Sequence, residues 1–241
     1  MPFTTPEDGM TGLANGFLAS LSQADRDCLE PHLLRLRFQS GDTLTHSPDE
    51  ARLVYFPVTL VACVQFADQG SGIGMVGREG IVGLSAMLGG TVDDAMEATV
   101  LMEGGWTLAI TVEDLQQACL ASPTLSLSLL GFLHSYSSQL GWMIRARDRG
   151  NFKQRLCAWL LMLHDRVDSD FLQLTHGSLA VQLGVRRASV TDALHILEGE
   201  ACLRCSRGLI SLMDRARLRR NAGRSYAVSY THLTLPTIYS V

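Results

Sequence analysis

The stretch from residue 172 to residue 214 constrains the fold more than any other part of the chain. Thr175 stands where a helix N-cap is expected, and Leu179 and Leu183 then share one side of a short helix. Gly184 supplies a tight turn. Beyond it, Val190, Leu194 and Leu197 recur in steps of four and three, the inward stripe of a second helix. Ala180, Gly184 and Val190 have the spacing of two helices that cross closely, because large side chains would not fit at the first two positions. Two apolar runs, Cys202-Leu203 and residues 209–213, flank Ser206-Arg207-Gly208 and predict a small hairpin with an arginine at its tip. Helix, turn, helix and hairpin in that order make a winged helix-turn-helix.

The inward stripe of the second helix leaves Arg187, Ala188, Thr191, Asp192 and His195 facing outward, with Arg186 and Ser189 near its N-terminal end. A recognition helix reads base edges from that end and face, and arginine matches guanine O6 and N7 bidentately. Ser189 and Arg186 suit phosphate contacts, which position a protein without reading sequence. These residues, with Thr175 and Arg207 at the wing tip, are the candidate contacts to double-stranded DNA. The charge distribution points the same way. Up to residue 144 there are sixteen acidic residues against five arginines and no lysine, whereas residues 151–222 hold eleven basic against seven acidic. Such asymmetry suggests that one half meets a polyanion.

The first half has a different period. Residues 13–32 suit one or two short helices, after which Leu34, Leu36 and Phe38 alternate with Arg35 and Arg37 as in a half-buried strand. Turn signals follow at Ser40-Gly41-Asp42, residues 68–72, residues 77–80, Gly89-Gly90 and Gly104-Gly105, with short apolar, β-branched runs between them. Many short strands at this spacing predict a sandwich, roll or barrel over about residues 30–111.

Helix signals resume at Thr111, an N-cap with Asp114 three residues on, and at Ser122-Pro123, which opens a helix to about residue 148. Along that helix Leu125, Leu129, Phe132, Tyr136, Gln139 and Met143 alternate in steps of four and three. This is a heptad seam with one polar member, the candidate interface of a homodimer. The same stripe also suits packing on the helix's own β-domain, but the pattern favours the dimer.

Several chemistries find no support. The six cysteines are scattered, and Cys202 and Cys205 form a lone C-x-x-C without a second pair, so no metal site is expected. The histidines show no H-x-H or H-E-x-x-H spacing, which argues against a metal-dependent enzyme of the β-domain. His134 and His164 suit a helix surface or an interface, and Met75, Met87, Met96 and Met102 suit either an apolar effector pocket or core filling. The most apolar stretch, residues 53–67, carries Pro57 and Gln65 and is shorter than a membrane span. The N-terminal residues do not read as a signal peptide, so a cytoplasmic protein is expected.

Leu183-Gly184-Val185-Arg186-Arg187-Ala188-Ser189-Val190-Thr191 and Ser206-Arg207-Gly208-Leu209-Ile210 resemble the helix-turn-helix and wing of the Crp/Fnr transcription regulators. Val54-Tyr55-Phe56-Pro57 and residues 74–83 look like the β-roll of the same family, and the resemblance covers about residues 15–220. It implies an α+β protein: an N-terminal double-stranded β-helix of the cyclic-nucleotide-binding type at 15–121, a dimerisation helix at 122–149 and a winged helix-turn-helix at 150–222. It also implies a homodimer on a palindromic operator, regulation through RNA polymerase, and no enzymatic activity. Arg187 falls where the family keeps its base-reading arginine, whereas Ala188 and Asp192 depart from the cyclic-AMP receptor pattern.

The effector is expected to differ as well. Gly83 is followed by Leu84 where the family's pocket has a glutamate for the ribose, and residues 91–99 hold Asp93, Asp94 and Glu97 but no arginine for the phosphate. Cyclic AMP is therefore not expected, and no cysteine cluster suits an iron-sulfur centre. A second reading keeps the chain as a ligand-binding module whose helix-turn-helix serves protein contacts. Residues 225–241 break the composition, and residues 228–237 resemble a translated sequencing adapter, so this tail is set apart from the fold.

Overall fold

The structure is a computed structural model that describes residues 14–44, 52–66, 72–88, 96–102, 104–149 and 151–226, excepting the side chains of residues 142 and 146–149. Helices α1 (Gly16–Ser20) and α2 (Gln23–Leu29) lead into strand β1 (Leu34–Phe38). Strands β2 (Leu53–Pro57), β3 (Val61–Phe66), β4 (Gly72–Val76), β5 (Met96–Leu101) and β6 (Gly105–Thr111) follow. They form two antiparallel three-stranded sheets, ordered β1-β6-β2 and β4-β3-β5. A register shift between Val64 and Gln65 interrupts the pairing of β3 with β4, and Gln65 then stands opposite Gly72. This is the β-roll.

The helices of the second half begin where side chains satisfy the first free N–H groups. The Thr111 hydroxyl accepts from the Asp114 N–H at the start of α3 (Val112–Ala121), as the sequence predicts. The long helix α4 (Pro123–Arg149) starts after Ser122, whose hydroxyl donates to Asp25 and so ties the corner to α2. Burial works to raise the Asp25 carboxyl, but hydroxyls of Ser122, Ser22 and Thr124 outweigh it and hold the group below its ordinary value. An Asn151–Gln154 capping box opens α5 (Phe152–His164), a helix that the sequence reading leaves unassigned.

Strand β7 (Phe171–Leu172), helices α6 (His176–Leu183) and α7 (Arg187–Gly199), strands β8 (Leu203–Ser206) and β9 (Leu209–Leu212), and helix α8 (Arg215–Ala222) complete the chain. The third sheet is ordered β7-β9-β8. Helix α8 packs along α5, and Tyr226 just beyond it is buried, accepting from Arg215 and donating to Asp165. The domain thus extends to at least Tyr226, past its expected end at residue 222 and into the tail set apart from residue 225, because an aromatic ring there closes the α5–α8 seam. Residues 227–241, including the adapter-like stretch, lie outside the described residues.

Helix α4 carries a second difference. Leu125, Leu129 and Phe132 are buried in the core that α1, β2 and β6 build, and Gln139 donates to the Met75 carbonyl of β4 at 3.1 Å. Tyr136 packs against two of the roll's clusters and Met143 against the helix-turn-helix core. The seam read as a dimer interface is thus covered by its own protomer. Helical periodicity identifies which residues share a face, and what covers that face depends on the chain folded against it.

The β-roll and the winged domain meet directly. The Arg166 guanidinium, only 3% exposed, donates to Glu79 at 2.8 Å and to the carbonyls of Met162 and Met75 at 2.7 and 3.3 Å. From α6, Gln182 reaches β3: its Nε2 donates to Gln65 at 3.2 Å, and its Oε1 accepts from the Cys63 thiol at 2.7 Å. A buried polar contact of this kind holds only when its members are all paired, as these are.

Candidate nucleic-acid interface

Helix α6 begins with a capping box in which the Thr175 hydroxyl accepts from the Ser178 N–H while the Ser178 hydroxyl accepts from the Thr175 N–H. It ends at Gly184, whose φ of 62° lies in the left-handed region that favours glycine. The Val185 N–H then returns to the Ala180 carbonyl at 3.0 Å, which fixes the turn. Val190, Ala193, Leu194 and Leu197 are buried under α7, so the inward stripe lies where the spacing puts it.

The other face of α7 is open. Arg186, Arg187, Ala188 and Ser189 are all exposed at its N-terminal end, as are Asp192 and His195 further on. Arg186 occupies the cap position without a side-chain cap bond, and the Ser189 N–H turns back to the Arg186 carbonyl at 3.0 Å, so the positive end of the helix dipole is presented outward at the first residues of α7. Thr191 is half-buried, and its hydroxyl donates to the Arg187 carbonyl at 3.1 Å. His195 faces Glu198 one turn on at 3.5 Å. Thr175 is exposed at the start of α6. Arg207 is exposed at the β8–β9 turn, where Gly208 takes a φ of 73°.

One residue of this surface escapes the sequence reading. His176, at the start of α6, meets the Thr191 hydroxyl at 2.9 Å. Because that hydroxyl gives its proton to the Arg187 carbonyl, the imidazole Nδ1 acts as the donor. The signal was available, since a first-turn residue of α6 and a mid-helix residue of α7 meet wherever two such helices cross closely. Cys202 is buried at the base of the wing and Cys205 half-buried within it. Burial, with the Glu198 carboxylate as a smaller cause, pushes the Cys205 thiol up to about 11. Among the described residues no three His, Cys, Asp or Glu side chains gather as a metal site.

The β-roll contains a cavity of about 260 Å³ between its sheets and α4. Gly83 and Leu84 both line it, so the side chain following Gly83 brings no carboxylate to it. Met96 lines it too, whereas Met75 lies in the core shared with the winged domain, and Met87 and Met102 pack against the roll and that shared core. Residues 91–95 lie outside the described residues. Tyr136 forms part of the cavity wall, and its hydroxyl is buried without a hydrogen-bond partner among the described residues. Burial pushes that phenol above its ordinary value.

Fold and surface together define the class: a β-roll joined by a long helix to a winged helix-turn-helix with an open, arginine-bearing recognition helix. Residues 154–221 match the Crp-like helix-turn-helix domain family, and the chain has the fold of the Crp/Fnr transcriptional regulators. A Crp/Fnr-family protein from Eubacterium rectale superposes with a TM-score of 0.66 at 16% identity, over 87% of this chain and 98% of that one. A CRP-family transcriptional regulator from Thermus thermophilus gives 0.63 at 21% identity, over 78% and 96%. FixK2 from Bradyrhizobium japonicum gives 0.64 at 15% identity, over 78% and 96%. At these identities the likeness is one of fold. No curated protein matches the chain in sequence.

Proposed function

We propose that the chain is a sequence-specific DNA-binding transcription regulator that acts as a homodimer on an inverted-repeat operator and answers a signal other than cyclic AMP. The observation that carries this reading is the N-terminal end of α7, where Arg186, Arg187, Ala188 and Ser189 stand exposed around an open helix N-terminus. Arg187 reads a guanine edge in the major groove, Arg186 and Ser189 hold phosphates, and Asp192, an acceptor only, selects an exocyclic amino donor such as cytosine N4. Arg207 on the wing reaches the flanking backbone.

The dimer uses the outer face of α4. Leu127, His134 and Gly141 recur every seven residues, and Leu130, Ser137 and Ile144 do the same three positions later. All six are exposed, so they form a seam at alternating steps of three and four, displaced by two positions from the buried one. Leu127, Leu130 and Ile144 are 58%, 60% and 64% exposed, and an added Cβ at Gly131 or Gly141 would meet nothing within 4 Å. Parallel pairing there would set the two recognition helices about one DNA turn apart.

The test is a selection from a random DNA library with the purified chain, followed by binding to the winning sequence across salt concentrations. An enriched inverted repeat whose affinity falls steeply with salt, through released counterions, supports the reading. Arg187→Ala should then relax base preference at a cost of about 1 to 3 kcal/mol, and Arg186→Ala should weaken all sequences alike. Weak, salt-insensitive association with any DNA would favour a module whose helix-turn-helix serves protein contacts.

A further inference from the structure

His176 lies in the crook between the two helices of the helix-turn-helix. It is the first residue of α6, next to the exposed cap Thr175, and the hydroxyl it meets belongs to Thr191 on the outward side of α7. Thr191 donates in turn to the Arg187 carbonyl, so imidazole, hydroxyl and carbonyl form one relay along the face that bears Arg187. The Nδ1 proton is committed to that relay. His176 is half-buried, yet its Nε2 has no hydrogen-bond partner among the described residues and is not sealed from water. One edge of the ring is fixed and the other is open.

The open edge has two chemical characters. In a neutral ring that donates from Nδ1, Nε2 offers only a lone pair, whereas in the imidazolium both nitrogens donate. A phosphate, an acceptor with negative charge, is repelled by the first and held by the second through a charge-assisted hydrogen bond. Moving the single proton to Nε2 instead would turn Nδ1 into an acceptor and pull the Thr191 hydroxyl off the Arg187 carbonyl. In helix-turn-helix complexes the second helix enters the major groove while the first crosses the DNA backbone. An imidazole at the start of α6, braced on α7, stands where such a backbone passes.

The charges around the ring leave it to an incoming anion to draw the second proton. On α7, Arg187 lies one turn before Thr191 and His195 one turn after it, Asp192 is exposed beside it, and Glu198 faces His195 at 3.5 Å. Strand β4, which also packs on α6, has no titratable residue, and His176 is the one such residue of α6 itself. Glu97 reaches α6 only at the far end of that helix and through two amides: Gln65 donates to Glu97 at 2.7 Å and accepts from Gln182. Among the described residues His32, His164 and His195 each face a carboxylate, and His176 faces none.

We infer that DNA binding takes up a proton at His176, whose imidazolium holds a backbone phosphate through Nε2 while Nδ1 stays on Thr191, so that the protein binds DNA more tightly as pH falls. The inference rests on the DNA-binding reading. Its sign follows from linkage. The complex raises the proton affinity of the ring, so the added DNA affinity is complete below the titration of the free imidazole and is lost as pH rises through that of the complex. A tenfold gain in proton affinity on the DNA adds about tenfold to the affinity per protomer.

The experiment has two parts. Nitrogen-15 NMR of the full chain without DNA reads the neutral tautomer of His176, where a proton on Nδ1 is expected and one on Nε2 would overturn the relay. Binding is then measured at fixed salt from about pH 8 to about pH 6, the range of histidine, with proton uptake read by calorimetry in buffers of different ionisation enthalpy. A phosphate contact reads no sequence, so a mixed-sequence duplex serves as well as a selected operator. Affinity should rise about tenfold or more across that range. His176→Asn, which keeps a donor for Thr191 and cannot titrate, should remove most of the rise, and His176→Lys, a permanent cation, should hold its affinity throughout. A rise unchanged in His176→Asn, or abolished by His195→Gln instead, would overturn the assignment. Salt-steep binding with a flat pH profile would sink the proton linkage and leave the DNA-binding reading standing, whereas weak, salt-insensitive association at every pH would sink both.

Discussion

Truncating two adjacent leucines of α4 separates the inner from the outer seam. Leu129 is 6% exposed and packs in the β-roll core, whereas Leu130, next in sequence, is 60% exposed. Full burial of a leucine side chain is worth about 1.5 to 3 kcal/mol, so covering the open part of Leu130 contributes about 1 to 2 kcal/mol. A two-fold axis counts each residue twice, which makes Leu130→Ala worth about 2 to 4 kcal/mol of dimer affinity. Since about 1.4 kcal/mol is tenfold, the dimer dissociation constant should rise about 30-fold to about 1,000-fold, with the protomer's own stability nearly unchanged. Leu129→Ala should do the reverse, costing about 2 to 5 kcal/mol of protomer stability through lost burial and the cavity left behind. Sedimentation velocity over a concentration series reads the first effect and urea unfolding of the monomeric form reads the second. A dimer weakened by Leu129→Ala but untouched by Leu130→Ala would refute the outer seam.

Other consequences can be checked alongside. An added Cβ at Gly74 would clash with the Tyr136 hydroxyl and crowd Leu140 Cδ2 at 3.0 Å, so Gly74→Ala should cost about 1 to 3 kcal/mol, and less in a Tyr136→Phe background, where the clashing oxygen is gone. Tyr136→Phe alone should stabilise by about 1 kcal/mol or more in denaturant titrations, because the buried hydroxyl it removes has no partner among the described residues. Gly184→Ala should destabilise the winged domain by about 1 to 2 kcal/mol, read from the same titrations, since φ there is 62°. Burial pushes the Cys63 and Cys157 thiols up to about 12 from an ordinary 9. The folded state then holds protons that the unfolded state releases, so stability should be complete below pH 9 and fall as pH rises from 9 toward 12. A flat alkaline stability profile would contradict that assignment.

The winged domain was largely legible because each of its elements is marked locally. Thr175 caps, Gly184 turns with positive φ, Val190, Leu194 and Leu197 point inward, and Gly208 closes the wing, each within a few residues of the element it controls. The exposed set from Arg186 to Ser189 followed from that frame by subtraction. Helix α8 and the seating of Tyr226 were less visible, because an arginine-rich segment reads as solvated surface until α5 is seen to supply Asp165 beneath Arg215. Helix α4 was legible as a helix and ambiguous as an interface. It carries two stripes, one at residues 125 to 143 and one at 127 to 144, and both satisfy helical spacing.

What resolves that ambiguity is composition once the fold is known. The inner stripe holds Phe132, Tyr136 and Gln139, large or polar side chains matched to particular partners: the ring of Phe17, the open backbone at Gly74 and the carbonyl of Met75. The outer stripe mixes leucine and isoleucine with Ser137, Gly141 and His134, and the small residues among them would let a second copy of the helix approach in the proposed dimer. The chain from Glu97 to Gln182 was hidden for a different reason. Its contacts join residues separated by 32 and 117 positions, and glutamine carries no charge pattern or periodicity that would single out Gln65 or Gln182. The buried pair of amides thus joins the roll to a helix end only when β3, β5 and α6 are brought side by side, and the register shift between Val64 and Gln65 falls where Gln65 meets Gln182.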